Sequence, residues 1–141
     1  MGESESGQVV VSVDLTDEER KLLAWGLNEW RGPARCTEEM AVAMGFVNHA
    51  DLMACDPLID VVRSGKPLST FDWRRVVLAV EVVFASSVVG SGSEWHITVG
   101  IGDEETILLL RSIQEKVTRS LSDQAGTRLL LSLEKPRLMN G

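Results

Sequence analysis

Apolar and polar positions along the chain recur with two different periods, and the changes of period mark out the elements. In "QVVVSVD", residues 8 to 14, Val9, Val11 and Val13 fall on one side, the period-2 pattern of a short strand that β-branched side chains favour. From Asp17 the period lengthens. At about 100° per residue, Leu22, Leu23, Gly26, Leu27 and Trp30 share one arc of a wheel, which predicts an amphipathic helix. Thr16 with Glu19 three places on forms a capping box, Asp17, Glu18 and Glu19 complement the positive helix end, and Gly32-Pro33 stops it. Trp25 lies off the arc, at the edge of the core or outside it, where a partner could cover it.

Thr37 is placed to cap a short second helix carrying Met40, Ala41 and Met44, which Gly45 ends by accepting the left-handed conformation. A third begins near Asn48 and carries Ala50, Leu52, Met53, Leu58, Ile59 and Val62. Pro57 breaks its hydrogen-bond ladder, so a kink or two short pieces are expected. Ser69 or Thr70 caps a long fourth helix in which "VVLAVEVVFASSVV", residues 76 to 89, is apolar nearly all round. Its valines favour extended geometry, but fourteen residues exceed the usual strand, and a helix apolar on every side belongs at the centre of a fold.

Beyond the "GSGS" joint at 90 to 93, Trp95, Ile97, Val99 and Ile101 alternate with His96, Thr98 and Gly100, the pattern of a second strand. It is expected to pair with residues 9 to 14. Asp103 then caps a last helix with the stripe Leu110, Ile113, Val117 and Leu121, and Glu115 can pair with Arg119 across one turn. From Ser122, Gly126 interrupts the pattern, and Leu129, Leu130, Leu131 and Leu133 fit a strand, a short helix or a patch for a second subunit. The expected fold is mainly α: a single-domain bundle of about five helices with a small two-stranded β ribbon. Residues 1 to 7 form a disordered tail, 8 to 121 the single globular domain, and 122 to 141 a C-terminal extension.

Composition narrows the function classes. A chain of 141 residues, 44% apolar and 25% charged, can bury one core without metal or disulfide support. Cys36 and Cys55 are in no CxxC pairing and read as reduced thiols. No apolar run reaches the roughly 18 residues of a membrane span, and "MGESESGQ" is acidic where a secretory signal is basic, so a cytoplasmic protein is expected. The formal net charge of -7 and pI near 4.8 set up a field that attracts basic surfaces and repels phosphate backbones.

The stretch "EMAVAMGFVNHADL", residues 39 to 52, resembles the turn of a helix-turn-helix unit. In particular, Ala41, Gly45 and Phe46 match the A-x-x-x-G-F run of AraC-type regulators. The resemblance covers about fourteen residues, and it implies a DNA-binding regulator only where the second helix carries cations for guanine and phosphate. Between Glu38 and Val62 there is no lysine or arginine; the recognition candidate holds Asn48, His49, Asp51 and Asp56. Arg31, Arg35, Arg63 and Lys66 only flank it. A glycine-ended helix hairpin packing Met40, Met44, Leu52 and Met53 into the core explains every residue.

Chemistry finds few candidates. His49, Asp51, Cys55 and Asp56 lie close in sequence, but their spacing fits neither a zinc nor a protease signature. Glu81 is the odder residue, one carboxylate among Val77, Leu78, Phe84 and Ala85, which must be paired or shift its pKa. It reads as structural, paired with Arg74 two turns back, with Arg75 or with a cation from another helix; the alternative is a general acid or base in a pocket. "VGSGSEW" lacks P-loop spacing, and the acids at 103 to 105 repel a phosphate from the helix that follows Gly100-Ile101-Gly102.

No catalytic residue, metal ligand or cofactor is assigned. What remains is a small acidic protein-interaction domain whose partner is a basic protein or a second copy, with nucleic acid and membrane disfavoured. Trp25, Trp30, Trp95 and His96 are the candidate contacts, and the acids at 17 to 19 and 103 to 105 the steering groups. The alternatives are a helix-turn-helix regulator using residues 38 to 56 and a small enzyme with a pocket at Glu81 or His49.

Overall fold

The first helix, α1 (Asp17–Glu29), starts at the expected capping box: Thr16 Oγ1 accepts from the Glu19 N–H at 3.1 Å, and Glu19 Oε1 accepts from the Thr16 N–H at 2.8 Å. The computed structural model describes residues 9–32 and 34–140, with side chains up to Ala125, so the expected tail at 1 to 7 lies outside the described residues. Leu22, Leu23, Leu27 and Trp30 are all but fully buried, as the wheel requires.

Thr37 caps α2 (Glu38–Ala43) and Asn48 caps α3 (His49–Met53). Between them Gly45 adopts φ +105, a conformation that a side chain resists. The expected division at Pro57 is present. Helix α4 (Asp56–Ser64) takes the proline in its first turn, where no N–H is required, and ends at Gly65 with φ +75. Ser69 caps α5 (Thr70–Ala85), whose Val76, Val80 and Val83 are fully buried. Helix α1 packs against both α4 and α5, and at Gly26 it lies so near α5 that an added Cβ would be 2.7 Å from a Val80 methyl. The run expected to be helical through residue 89 stops at Ala85, and Ser86 Oγ accepts the N–H groups of Val88 and Val89 in the turn that follows.

The protein is mainly α with a two-stranded antiparallel ribbon, but the ribbon has a different second strand from the one expected. Strand β1 (Val10–Val11) pairs with β2 (Leu68–Ser69), in the register Val10 to Ser69 and Val11 to Leu68. Trp73 Nε1 donates to the Val11 carbonyl at 2.8 Å and pins the ribbon to α5. Residues 95 to 101 form no strand. A 3₁₀ turn (Gly92–Glu94) leads into α6 (Trp95–Thr98). Local alternation is overridden by two buried groups. Trp95 is fully buried, edge-on to Phe84, and donates to Thr106 Oγ1 at 2.9 Å. The buried Glu29 carboxylate requires donors, and the helical turn brings it the hydroxyls of Ser91 and Thr98. Ile97, which the alternation would bury, is 72% exposed.

The last helix, α7 (Asp103–Asn140), is continuous for 38 residues. It passes the expected boundary at 121 to 122 and is not broken at Gly126, because one glycine costs a helix only about 1 kcal/mol. The helix starts one residue earlier than expected: Thr106 N–H bonds the Gly102 carbonyl, which makes Asp103 its first residue and not its cap. The expected Glu115–Arg119 pair does not form; Arg111 Nη1 instead donates to Gln114 at 3.0 Å.

Candidate functional site

One face of α5 was hidden in the sequence by the apolar character of the whole helix. Arg74, Val77, Leu78, Glu81, Phe84 and Ala85 recur three and four places apart, so they form a single stripe. Opposite it, the stripe Ile107, Leu110, Gln114, Val117, Leu121 and Ala125 runs along α7. The N-terminal part of the α5 stripe meets residues 114 to 125 and its C-terminal part meets residues 107 to 114, so the two helices are antiparallel. Their outer edges do not close. Between them lies an open, mainly apolar groove of about 360 Å³, continued past Glu81 by a second hollow of about 210 Å³. Leu78 and Ile107 on its rims are 38% and 47% exposed.

Glu81 sits midway along the groove, half-buried, and accepts a hydrogen bond from Gln114 Nε2 across it. Arg74 is exposed at one end of the groove and makes no salt bridge with Glu81, and no other cation pairs with it among the described residues. No histidine, cysteine or lysine lines either hollow among the described residues, so the groove offers Glu81 no partner of the kind that activates a nucleophile or relays a proton.

The four proposed contact residues divide. Trp25 is 40% exposed on α1, and His96 is exposed on α6. Trp30 and Trp95 are interior residues, 1% and 0% exposed, and both indole N–H groups are satisfied, Trp30 by the Ala79 carbonyl at 3.0 Å and Trp95 by Thr106. A partner therefore cannot touch these two, and their role is to fasten α1 to α5 and α6 to α7. Trp30 lay on the apolar arc of its helix, the feature that already indicated burial.

The helix-turn-helix candidate is built into the body. The Asp51 carboxylate accepts from the Val47 N–H at 2.9 Å and faces Arg75 at 3.6 Å, while the Arg75 guanidinium bonds Asp72 and lies over the rings of Phe46 and Phe71. Arg31 is held by Asp56. Of the four flanking cations Arg31 is thus engaged by a carboxylate, as is Arg75 from α5, and α3 has five residues. His49 is half-buried and Cys55 buried, and among the described residues no group of three metal-ligating side chains gathers. Burial pushes the Cys55 thiol up, with only a partial offset from Arg31, and Cys36 is raised by burial and by Glu38, so neither is an activated thiolate.

Glu19, expected in the capping box and among the steering acids, keeps the first role but not the second, because it is buried. Its side chain is 2% exposed, and its carboxylate accepts both the Thr16 N–H and Lys116 Nζ, each at 2.8 Å. Burial raises its carboxyl, but the bonds from Lys116, Ser112 and Thr16 outweigh that and hold it below the usual glutamate value. This pair ties the start of α1 to the middle of α7. No described helix is long and apolar enough to cross a membrane. Comparison with family models, with curated proteins and with solved structures finds no match to this chain.

Proposed function

We propose that the protein is a small acidic protein-interaction domain that acts in the cytoplasm and associates with a second copy of itself through the face formed by α5 and α7. The observation that carries this reading is the mismatch between the two helices. Helix α7, at about 57 Å, is more than twice as long as α5, at about 24 Å. Yet the last of its buried described side chains is Val117. An apolar groove left open beside a helix of that length is the usual form of a helix-docking surface.

Charge supports a protein partner. Residues 126 to 141 carry three cations and one carboxylate, +2, which leaves −9 on residues 1 to 125. A body of that charge attracts a basic helix and repels a phosphate backbone. The chain carries such a basic stretch itself, at residues 126 to 141, which favours self-association over a foreign basic segment. Cys36 and Cys55 are both free thiols, the form a reducing compartment maintains.

Sedimentation equilibrium of the full chain tests the reading. A mass near twice the 15.5 kDa of one chain, with dissociation on dilution, is expected. A single-chain mass up to about millimolar concentration, the weak limit of specific association, would overturn it.

A further inference from the structure

We infer that the second copy sits on the outward face of α5, so that the two α5 helices lie antiparallel about a two-fold axis between Val77 and Leu78, with Arg74 of each chain paired to Glu81 of the other. This rests on the self-association proposed above and names its seat. Three observations converge on it.

The first is an apolar helix left uncovered on one side. Helix α5 is apolar nearly all round, the composition of a helix enclosed on every side, yet α1 and α7 cover only part of its surface. Phe71 and Leu78 are 53% and 38% exposed, Ala85 is exposed and Val82 half-buried. Phe71, Leu78 and Ala85 follow one another at heptad spacing and Val82 lies one turn from Leu78, so the four form the seam of a helix that packs lengthwise on another.

The second is the placement of charge. Arg74 and Glu81 lie on one flank of that seam, the flank toward α7, where both line the groove, and among the described residues neither has a salt bridge. They stand about 5 Å to either side of the midpoint between Val77 and Leu78, at about 1.5 Å of rise per residue. A two-fold axis normal to the plane of two antiparallel helices keeps each flank on its own side while it reverses the chain direction, so it brings Arg74 of each copy level with Glu81 of the other. Both pairs that come level are of opposite charge, and the face is complementary to itself. On the opposite flank the Arg75 guanidinium is already neutralised by Asp51 and Asp72. On a body that carries −9 over residues 1 to 125, a face with one such cation and one such carboxylate lets two copies meet without net repulsion at the contact.

The third is fit. The same axis sets Phe71, about 10 Å from it along the helix, beside Ala85 of the other copy, about 11 Å from it, a bulky ring facing a small side chain, and brings Leu78 against its own mate. Helix α7 lies on the groove flank in both copies. The second copy therefore supplies the wall that the groove lacks, and the two α5–α7 pairs close into a four-helix arrangement.

Charge reversal across the axis tests this arrangement. Arg74→Glu sets carboxylate level with carboxylate, and Glu81→Arg sets guanidinium level with guanidinium, so each variant alone should raise the dimer dissociation constant roughly tenfold or more in sedimentation equilibrium. An equimolar mixture of the two re-forms both opposite pairs between unlike chains and should return the dissociation constant to within about threefold of the parent's. Such a rescue requires contact between chains, so neither a loss of folding nor a role within one chain produces it. Arg63→Glu, at an exposed arginine on α4, makes the same change in net charge as Arg74→Glu and should leave association as it is in the parent. If the parent sediments as a dimer but either variant at 74 or 81 dimerises as the parent does, or their mixture does no better than its components, this seat is overturned and self-association stands. If the parent chain is a monomer throughout, both are overturned.

Discussion

Lys116→Met removes the cation from a carboxylate that is only 2% exposed, while keeping the aliphatic bulk of the lysine. Breaking one side of a fully buried ion pair costs about 3–5 kcal/mol, because the remaining charge is left without compensation. Here the lysine side chain is 33% exposed and Glu19 keeps the Thr16 N–H, so solvent and the helix cap absorb part of that cost. A loss of about 2–3 kcal/mol follows. For a chain of this length the unfolding entropy is about 0.3 kcal/mol per degree, and the midpoint should fall by about 7–10 °C.

The pH dependence has a definite sign. In the native protein the folded Glu19 carboxyl lies below its unfolded value of about 4.3. Its contribution is therefore fully present above that value and is lost as the pH falls through the folded one. In the variant, burial acts with far less opposition, the folded value rises, and protonation relieves the penalty. The gap in stability between the two proteins is thus widest near pH 7 and narrows toward pH 4. Urea unfolding followed by circular dichroism at both pH values measures it, with Lys21→Met, an exposed lysine paired with Asp17, as a control expected to cost no more than about 0.5 kcal/mol. A gap under about 0.5 kcal/mol at pH 7, or an equal gap at pH 4, would refute the reasoning.

Three further outcomes are expected. Gly26→Ala forces a Cβ to within 2.7 Å of Val80 in the α1–α5 contact; the overpacking should exceed the gain in helix propensity by about 1–2 kcal/mol in a thermal melt, and Val80→Ala in the same chain should restore most of it. Thr16→Ala removes the hydroxyl half of the capping box and should lower the unfolding free energy by about 1 kcal/mol, a cost that Thr16→Ser should largely avoid. Glu81→Gln, at a half-buried site bonded only to Gln114 among the described side chains, should change the stability of the isolated chain by less than about 0.5 kcal/mol in chemical denaturation.

The sequence by itself determined whatever depends on neighbours in the chain. The cap of α1, the break at Pro57, the left-handed turn at Gly45, the cap at Ser69 and the apolar stripes of α1 and α7 are all set within a few residues, because a helix end or helix face is a local arrangement. Only the tertiary structure decided the rest. The ribbon partner of Val10–Val11 came from residues 68 and 69, and residues 95 to 98 became helical because a buried indole and the Glu29 carboxylate, 62 and 69 residues from its hydroxyl donors, had to be satisfied. The same holds for the pairing of Glu19 with Lys116 across 97 residues and for the groove, which exists only because two helices far apart in the chain lie side by side without closing. Alternation and spacing carry information over one or two turns; burial of a charge or an indole is a demand that any part of the chain can meet, and the fold chooses which.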